Sequence, residues 1–211
     1  YNTKMVSDLN LESPQALAKR GEWTWEKFRE YCRAATTLGS DYYGVHAADF
    51  ATNLAHTNNV LPYTYVNGKF YNGYTHASTK NNMLHLLEFL QELKIQDQSM
   101  MSDIAGGQLA IDEMVETFRN GKMMFVLGAH NWCKSWKEEG LTNYAPITYP
   151  SGPDMTEKQN YIIGYSFYGI PKYNNFEQEQ MVSFLKDYQT TWDESREGAY
   201  YVANTDTAVD D

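Results

Sequence analysis

The stretch FVLGAHNWCKSW, residues 125–136, places three residue types suited to ligand contact directly after an apolar strand. His130 and Asn131 carry planar hydrogen-bonding groups, and Trp132 carries a large aromatic face. Neutral sugars are held by this combination, because aromatic rings stack against their C–H faces while planar polar groups bond their hydroxyls. The stretch therefore predicts a carbohydrate-binding site. The alternative is that Trp132 packs into the core, as we expect for Trp136 one helical turn later.

Catalytic chemistry finds less support in the sequence, which contains no nucleophile elbow, Walker loop or zinc-protease motif. No metal-ligand spacing relates the five histidines, so we expect neither a metal nor a cofactor. His85, inside an apolar helix, is predicted to be a hydrogen-bonded histidine that belongs partly to the core. A glycosidase pair remains an alternative, since the sequence does not fix the separation of its carboxylates, and the candidates are Asp41, Asp49, Asp103 and Asp112. We expect a protein that is not an enzyme.

Composition narrows the choice of ligand. The chain has 211 residues, 42% of them hydrophobic and 21% charged, as in an ordinary globular protein. Its formal net charge of −10 argues against nucleic acid and against docking on an acidic membrane surface. Aromatic residues make up 15% of the chain, and such an excess is typical of binding surfaces. Cys32 and Cys133 are expected to be free thiols, with a single bridge as the alternative.

Four helices are predicted in the first 150 residues, at 25–37, 83–94, 109–119 and 131–139. Thr24 is the expected N-cap of the first, and Asn131 the expected N-cap of the last. The second helix is predicted to bury an apolar stripe at helical spacing, formed by Met83, Leu86, Leu87, Leu90 and Leu93. A further helix is expected after residue 175, ahead of a polar tail.

Strands alternate with these helices. Residues 41–47 predict a short strand with Tyr43, Val45 and Ala47 on one face, and Asn67-Gly68 predicts a hairpin turn. The alternation predicts an α/β layered domain with a mostly parallel sheet. Ligands bind beyond the carboxyl ends of the strands in such sheets, and Gly128 lets the backbone turn at one of these ends.

The order of several motifs resembles a known family. These motifs are YNTKMVSDLNLESP, GEWTWEKFREYC, YYGV, YVNGKFY, LLEFLQELKI, TFRNGKMMFVLGAHNW, YAPITYPSGP and IPKYNNFEQEQMVSFLKDY. Together they resemble the middle of a family 1 extracellular solute-binding protein of an ABC sugar importer, the maltodextrin-binding-protein type. Such proteins have the type II periplasmic-binding-protein fold, two α/β lobes that close on a sugar.

The resemblance implies a domain organisation. Residues 1–155 would form the second α/β lobe. Residues 156–211 would form a hinge crossing, a first-lobe strand at 161–170 and a first-lobe helix with a polar tail. The chain opens without Met, and the resemblance implies a fragment that lacks most of the first lobe.

The resemblance also implies site residues. The loop HAADFATN matches a segment that lines the cleft, which makes Asp49, Phe50 and Asn53 candidates. In IIGYSFYGIPK the family has glycine and an aromatic residue facing the cleft, and Tyr165 matches that aromatic position. The position of the family's stacking tryptophan falls on His130, with Trp132 two residues later.

The function implied is capture of an oligosaccharide outside the cell and its delivery to an ABC transporter permease. The protein would be a cell-surface lipoprotein or periplasmic, attached to the membrane only through a lipid anchor outside this fragment. Two alternatives remain: a fragment of a carbohydrate-active enzyme, and a ligand-sensing module that reports to a receptor.

Overall fold

The computed structural model describes residues 1–47, 50–102, 107–128, 130–155 and 177–194. Within its helices, the side chains of residues 107–109, 130, 131, 133, 134, 178 and 188–194 lie outside this description. The chain divides into two compact units, Tyr1–Ile163 and Gly164–Asp211. The described part of the second unit is the helix Gln178–Glu194, with Val182 and Phe184 exposed.

The first unit combines helices with short strands. In chain order these are α1 (Thr3–Asp8), α2 (Pro14–Arg20), α3 (Trp25–Thr36), β1 (Val45–His46), α4 (Phe50–His56), β2 (Tyr63–Val66), β3 (Lys69–Asn72), a 3₁₀ turn (Ala77–Thr79), α5 (Lys80–Gln91) with a π-helical end (Glu92–Gln96), β4 (Met100–Met101), α6 (Gly107–Arg119) and α7 (His130–Glu138). The helix of the second unit is α8. No helix in the described part of the chain combines the length and hydrophobicity of a membrane span.

A small parallel sheet organises the first unit. β1 pairs in parallel with β4, with Val45 opposite Met100. On the other side of β1, Tyr43 forms a parallel bridge with Met123, and the Phe125 N–H donates to the Gly44 carbonyl at 2.8 Å. β1 is therefore the central one of three parallel segments, each followed along the chain by a helix. This arrangement confirms the mixed helix-and-strand character and the parallel pairing that the alternation predicts.

Helix α3 forms as its sequence predicts. Thr24 accepts a hydrogen bond from the Lys27 N–H and so caps the helix. Trp25, Phe28 and Cys32 lie on one buried face with Ala35. Burial raises the pKa of the Cys32 thiol, because the thiolate would lose its hydration there. Cys32 is a free thiol, as expected.

One prediction of an inward-facing residue is wrong. Leu87 on α5 is 54% exposed, and Phe89 is buried instead, with its ring stacked on Trp25 at a centroid distance of 4.7 Å. On β1, Val45 is buried, in agreement with the predicted strand, and His46 is buried as well. The His46 Nε2 lies 3.6 Å from the Glu113 carboxylate of α6.

Side-chain hydrogen bonds connect the segment 151–155 to α5 and to the turn that follows α4. The Asn58 amide donates to the Asp154 carboxylate at 2.8 Å, and the side-chain carbonyl of Asn58 accepts from the Asp154 N–H at 2.8 Å. His85 Nδ1 lies 2.7 Å from the same carboxylate. The prediction that His85 is a core histidine is wrong, since its side chain is 47% exposed and points to Asp154.

Gly44 permits the closest approach between the sheet and α3. A Cβ atom at Gly44 would lie 2.3 Å from the Cβ of Cys32 and 2.5 Å from its Cα. We expect Gly44→Ala to lower the free energy of unfolding by at least about 3 kcal/mol, because backbone and not a flexible side chain must move. Urea denaturation followed by circular dichroism measures the loss.

Gly121→Ala is the control for that substitution. Gly121 has a positive φ of 74°, but a Cβ atom added there would have no other atom within 4 Å. The control therefore measures backbone strain alone, about 1–2 kcal/mol. An equal loss in the two variants would contradict the packing constraint at Gly44.

The His85–Asp154 contact predicts a pH dependence of stability. The hydrogen bond to Asp154 raises the pKa of His85 above its ordinary value of 6.5, so the protonated form is favoured in the folded protein. The stabilisation is complete below 6.5 and is lost as the pH rises through the raised pKa. Between about pH 6 and 9 we therefore expect the melting temperature to fall less in His85→Gln than in the unaltered protein. Parallel pH profiles in the two proteins would contradict this coupling.

Candidate functional site

A cavity of about 250 Å³ opens beyond the carboxyl ends of the parallel segments. Val45 of β1 and residues 125–128 contribute to its wall, which is where ligands bind in parallel sheets. The first unit has two hydrophobic core clusters: the first contains Trp23, Phe28 and Phe50, and the second contains Phe118 and Trp136. Aromatic side chains of these clusters, or packed against them, form most of the remaining wall: Trp23, Phe28, Phe50, Phe118, Trp132, Trp136, Tyr144 and Tyr149.

Trp132 is held in place from two sides. A Cβ atom at Gly128 would lie 2.9 Å from the Trp132 Cε3, so the indole lies directly over the Gly128 backbone. On the other side, Trp136 is tilted against it at a centroid distance of 5.9 Å. Trp132 is half-buried and lines the cavity. The ring thus packs on the core and also presents surface to the cavity, and its contact with a sugar stays a prediction.

Trp136 anchors the tryptophan pair to the second core cluster. It is buried, as expected, and stacks on Phe118 of α6 at 5.5 Å. Tyr144 meets the same ring edge-on at 5.6 Å. Edge-on and stacked contacts of this kind fix ring orientation, so the Trp132 indole rests on a rigid support.

Phe50, the first residue of α4, forms the opposite part of the wall. It is buried and stacks on Phe28 at a centroid distance of 5.4 Å. Phe28 in turn contacts Phe125 at 4.7 Å. Of the residues that the resemblance implies for the cleft, Phe50 therefore lies at the cavity, where it offers apolar surface.

The polar side chains around the cavity are uncharged. The Trp23 indole N–H donates to the Thr148 carbonyl at 3.0 Å, and the Tyr1 hydroxyl lies 3.2 Å from the Ser13 hydroxyl. No Asp, Glu, Lys, Arg or His is found among the described residues that line the cavity. Since burying an unpaired charge is costly, this lining favours a neutral ligand with apolar faces.

The remaining predicted site residues have different outcomes. Helix α7 begins at His130, so Asn131 lies in its first turn and the prediction of an N-cap is wrong. The side chains of both residues lie outside the described part. Asp49 and Tyr165 lie outside the described residues altogether. Asn53 is half-buried on α4 and does not line the cavity.

The segment 144–150 is a part of the site that sequence reasoning missed. Directly after it, Ser151 connects the chain to the start of α3, because the Ser151 N–H donates to the Trp23 carbonyl and the Trp25 N–H donates to the Ser151 carbonyl, each at 3.0 Å. Ile147 and Tyr149 then line the cavity. The signal that could have found it is the alternation of apolar and polar residues between two prolines in YAPITYP, which is typical of an extended segment.

Groups with shifted pKa values lie away from this cavity. Hydrogen bonding to Asp97 raises the pKa of Arg29, and bonding to Asp154 raises the pKa of His85. Neither pair borders the cavity, and no three metal-ligating side chains cluster anywhere among the residues that the structure describes. The arrangement is suited to binding by shape and ring stacking.

Comparisons with protein-family models, with curated proteins and with solved structures find no match to this chain.

The contact between Gly128 and Trp132 predicts a spectroscopic effect. We expect Gly128→Ala to displace the indole, because the added methyl group would overlap it, and to destabilise the fold by about 1–3 kcal/mol. The near-ultraviolet circular dichroism of the Trp132–Trp136 pair should change with it. In the control Gly140→Ala, at the end of the same helix, an added Cβ has no atom within 4 Å. An unaltered near-ultraviolet spectrum in Gly128→Ala would contradict the close contact.

Proposed function

We propose that this chain is the carbohydrate-holding lobe of a family 1 extracellular solute-binding protein with the type II periplasmic-binding-protein fold. It captures an oligosaccharide outside the cell for delivery to an ABC transporter permease. The observation that supports this most is the position of Trp132, whose half-buried ring lines a cavity with no charged side chain in its described wall, where a parallel segment ends.

The chemistry of the cavity suits a sugar. A pyranose ring has an apolar C–H face, which stacks on an aromatic ring, and an edge of hydroxyl groups. The Trp132 indole supplies the ring, on a support that Gly128 and Trp136 make rigid. A preorganised ring gains affinity because little side-chain freedom is lost on binding.

Capture by such a protein requires closure over the ligand. A sugar held at the sheet ends of one lobe is enclosed when a second lobe swings over it, and the ligand drives closure through its higher affinity for the closed state. Release to a permease follows when the lobes separate again.

Calorimetric titration with neutral trisaccharides of glucose, xylose and mannose tests the proposal. We expect one class to bind, and Trp132→Ala to weaken that binding by roughly 1–3 kcal/mol, as for removal of a buried aromatic anchor. Ile95→Ala is the matched control, since Ile95 is exposed and does not line the cavity.

Three outcomes would contradict the proposal. They are the absence of binding for every sugar class, an affinity that Trp132→Ala leaves unchanged, and the release of shorter sugars during incubation. The last result would indicate a carbohydrate-active enzyme. A thermal melt of each variant separates lost binding from lost folding.

A further inference from the structure

The hairpin β2–β3 presents an exposed aromatic face. Its register pairs Tyr63 with Asn72 and Tyr65 with Phe70, which places these four side chains on one face. Tyr63 is 71% exposed, Tyr65 63% and Phe70 76%. Large apolar side chains clustered at such exposure are typical of binding surfaces. We call these four residues the hairpin face.

The turn and the hydrogen bonds at the base of the hairpin fix the position of the hairpin face. Asn67 and Gly68 both have positive φ angles, 49° and 80°, as a two-residue turn between twisted strands requires. At the base, the Gly73 N–H donates to the Pro62 carbonyl at 2.9 Å, and the Thr79 hydroxyl donates to the Gly73 carbonyl. The side-chain carbonyl oxygen of Asn72 accepts from the Tyr74 N–H at 2.9 Å. The turn and the base therefore fix the strands and leave the aromatic rings of the hairpin face uncovered.

The hairpin face carries no charge. Lys69 belongs to the opposite face, together with Tyr71, whose ring contacts His76 at 4.9 Å. Tyr65 and Phe70 lie side by side with ring centroids 4.8 Å apart. Within the described part of the chain, the two tyrosine hydroxyls and the Asn72 amide nitrogen make no hydrogen bond. Ring faces and free neutral hydrogen-bonding groups thus lie next to each other.

The size of the hairpin face limits its occupant. The three aromatic side chains of the hairpin face are 63–76% exposed. Their accessible area, on the order of 300–500 Å², is below the roughly 800 Å² per partner that a stable protein interface buries. It does match a few sugar rings of a neutral glycan. A peptide would instead pair with the open strand edges, which makes no use of these rings.

We propose that the hairpin face is a second carbohydrate contact, one that binds a stretch of a neutral polysaccharide. Tyr63, Tyr65 and Phe70 stack on successive pyranose rings, while the Asn72 amide donates to a hydroxyl group. This site is independent of the cavity, because none of its residues lines that cavity. It would hold the protein near polymeric glycan, whereas the cavity takes a short oligosaccharide.

Native affinity electrophoresis tests this site. The gels contain amylopectin, hydroxyethylcellulose, xylan or galactomannan, and a gel without polysaccharide corrects for charge. We expect at least one polymer to retard the protein, and Tyr65→Ala/Phe70→Ala to weaken the apparent affinity about tenfold or more. Lys69→Ala, which removes an exposed side chain from the opposite face, should bind as the unaltered protein does. Phe70→Tyr keeps the ring and should retain binding.

Other variants separate this site from the cavity. Trp132→Ala should be retarded normally, and the hairpin double variant should bind trisaccharides normally. Retardation by no polymer would overturn the proposal, and so would equal retardation of the double variant or loss of retardation in Trp132→Ala. Light scattering over a range of concentrations supplies a further test. A dimer that the double variant abolishes would assign the hairpin face to self-association and overturn the proposal.

Discussion

The ring of Phe28 connects the elements on which the candidate site depends. From α3 it contacts Phe50 of α4 at 5.4 Å, Phe125 beside β1 at 4.7 Å and Trp23 at 6.1 Å. Phe50, Phe125 and Trp23 lie far apart from one another in the sequence. All three line the cavity, and the ring of Phe28 contacts each of them there. A buried aromatic side chain contributes a large contact area, so the position of each wall depends on the others. The approach of Gly44 to Cys32 brings the sheet within reach of this cluster.

Charge and aromatic surface are segregated in the first unit. The described ion pairs lie mainly on the outside, as between Arg20 and Glu12 or between Lys122 and Asp41, where solvent screening leaves each pair with a small contribution to stability. The side chains of the cavity wall are uncharged in its described part. The described wall therefore offers ring faces and apolar surface in place of charge.

The parallel sheet determines where the parts of the site meet. β1 lies between β4 and the segment that precedes α7, so the chain leaves the sheet at the same edge after each of the three. This edge gathers Phe50 and Trp132, which are separated by more than 80 positions in the sequence. The hairpin β2–β3 forms a sheet of its own, and its register alone places its aromatic residues together.

Local signals in the sequence determined the elements. Thr24 begins a helix predicted over 25–37 and found at Trp25–Thr36, and Asn67-Gly68 turns the hairpin, because capping and positive φ angles depend only on nearby residues. The sequence also predicted a strand ahead of Trp132, where the structure has a single parallel bridge between Tyr43 and Met123. Only the tertiary structure decided that Phe89 replaces Leu87 in the core, that His85 faces Asp154 and that Tyr149 reaches the cavity. Each of these three outcomes depends on a partner residue that is distant in the sequence. Hydrophobic periodicity does not reveal such partners, because it describes only one helix or strand at a time.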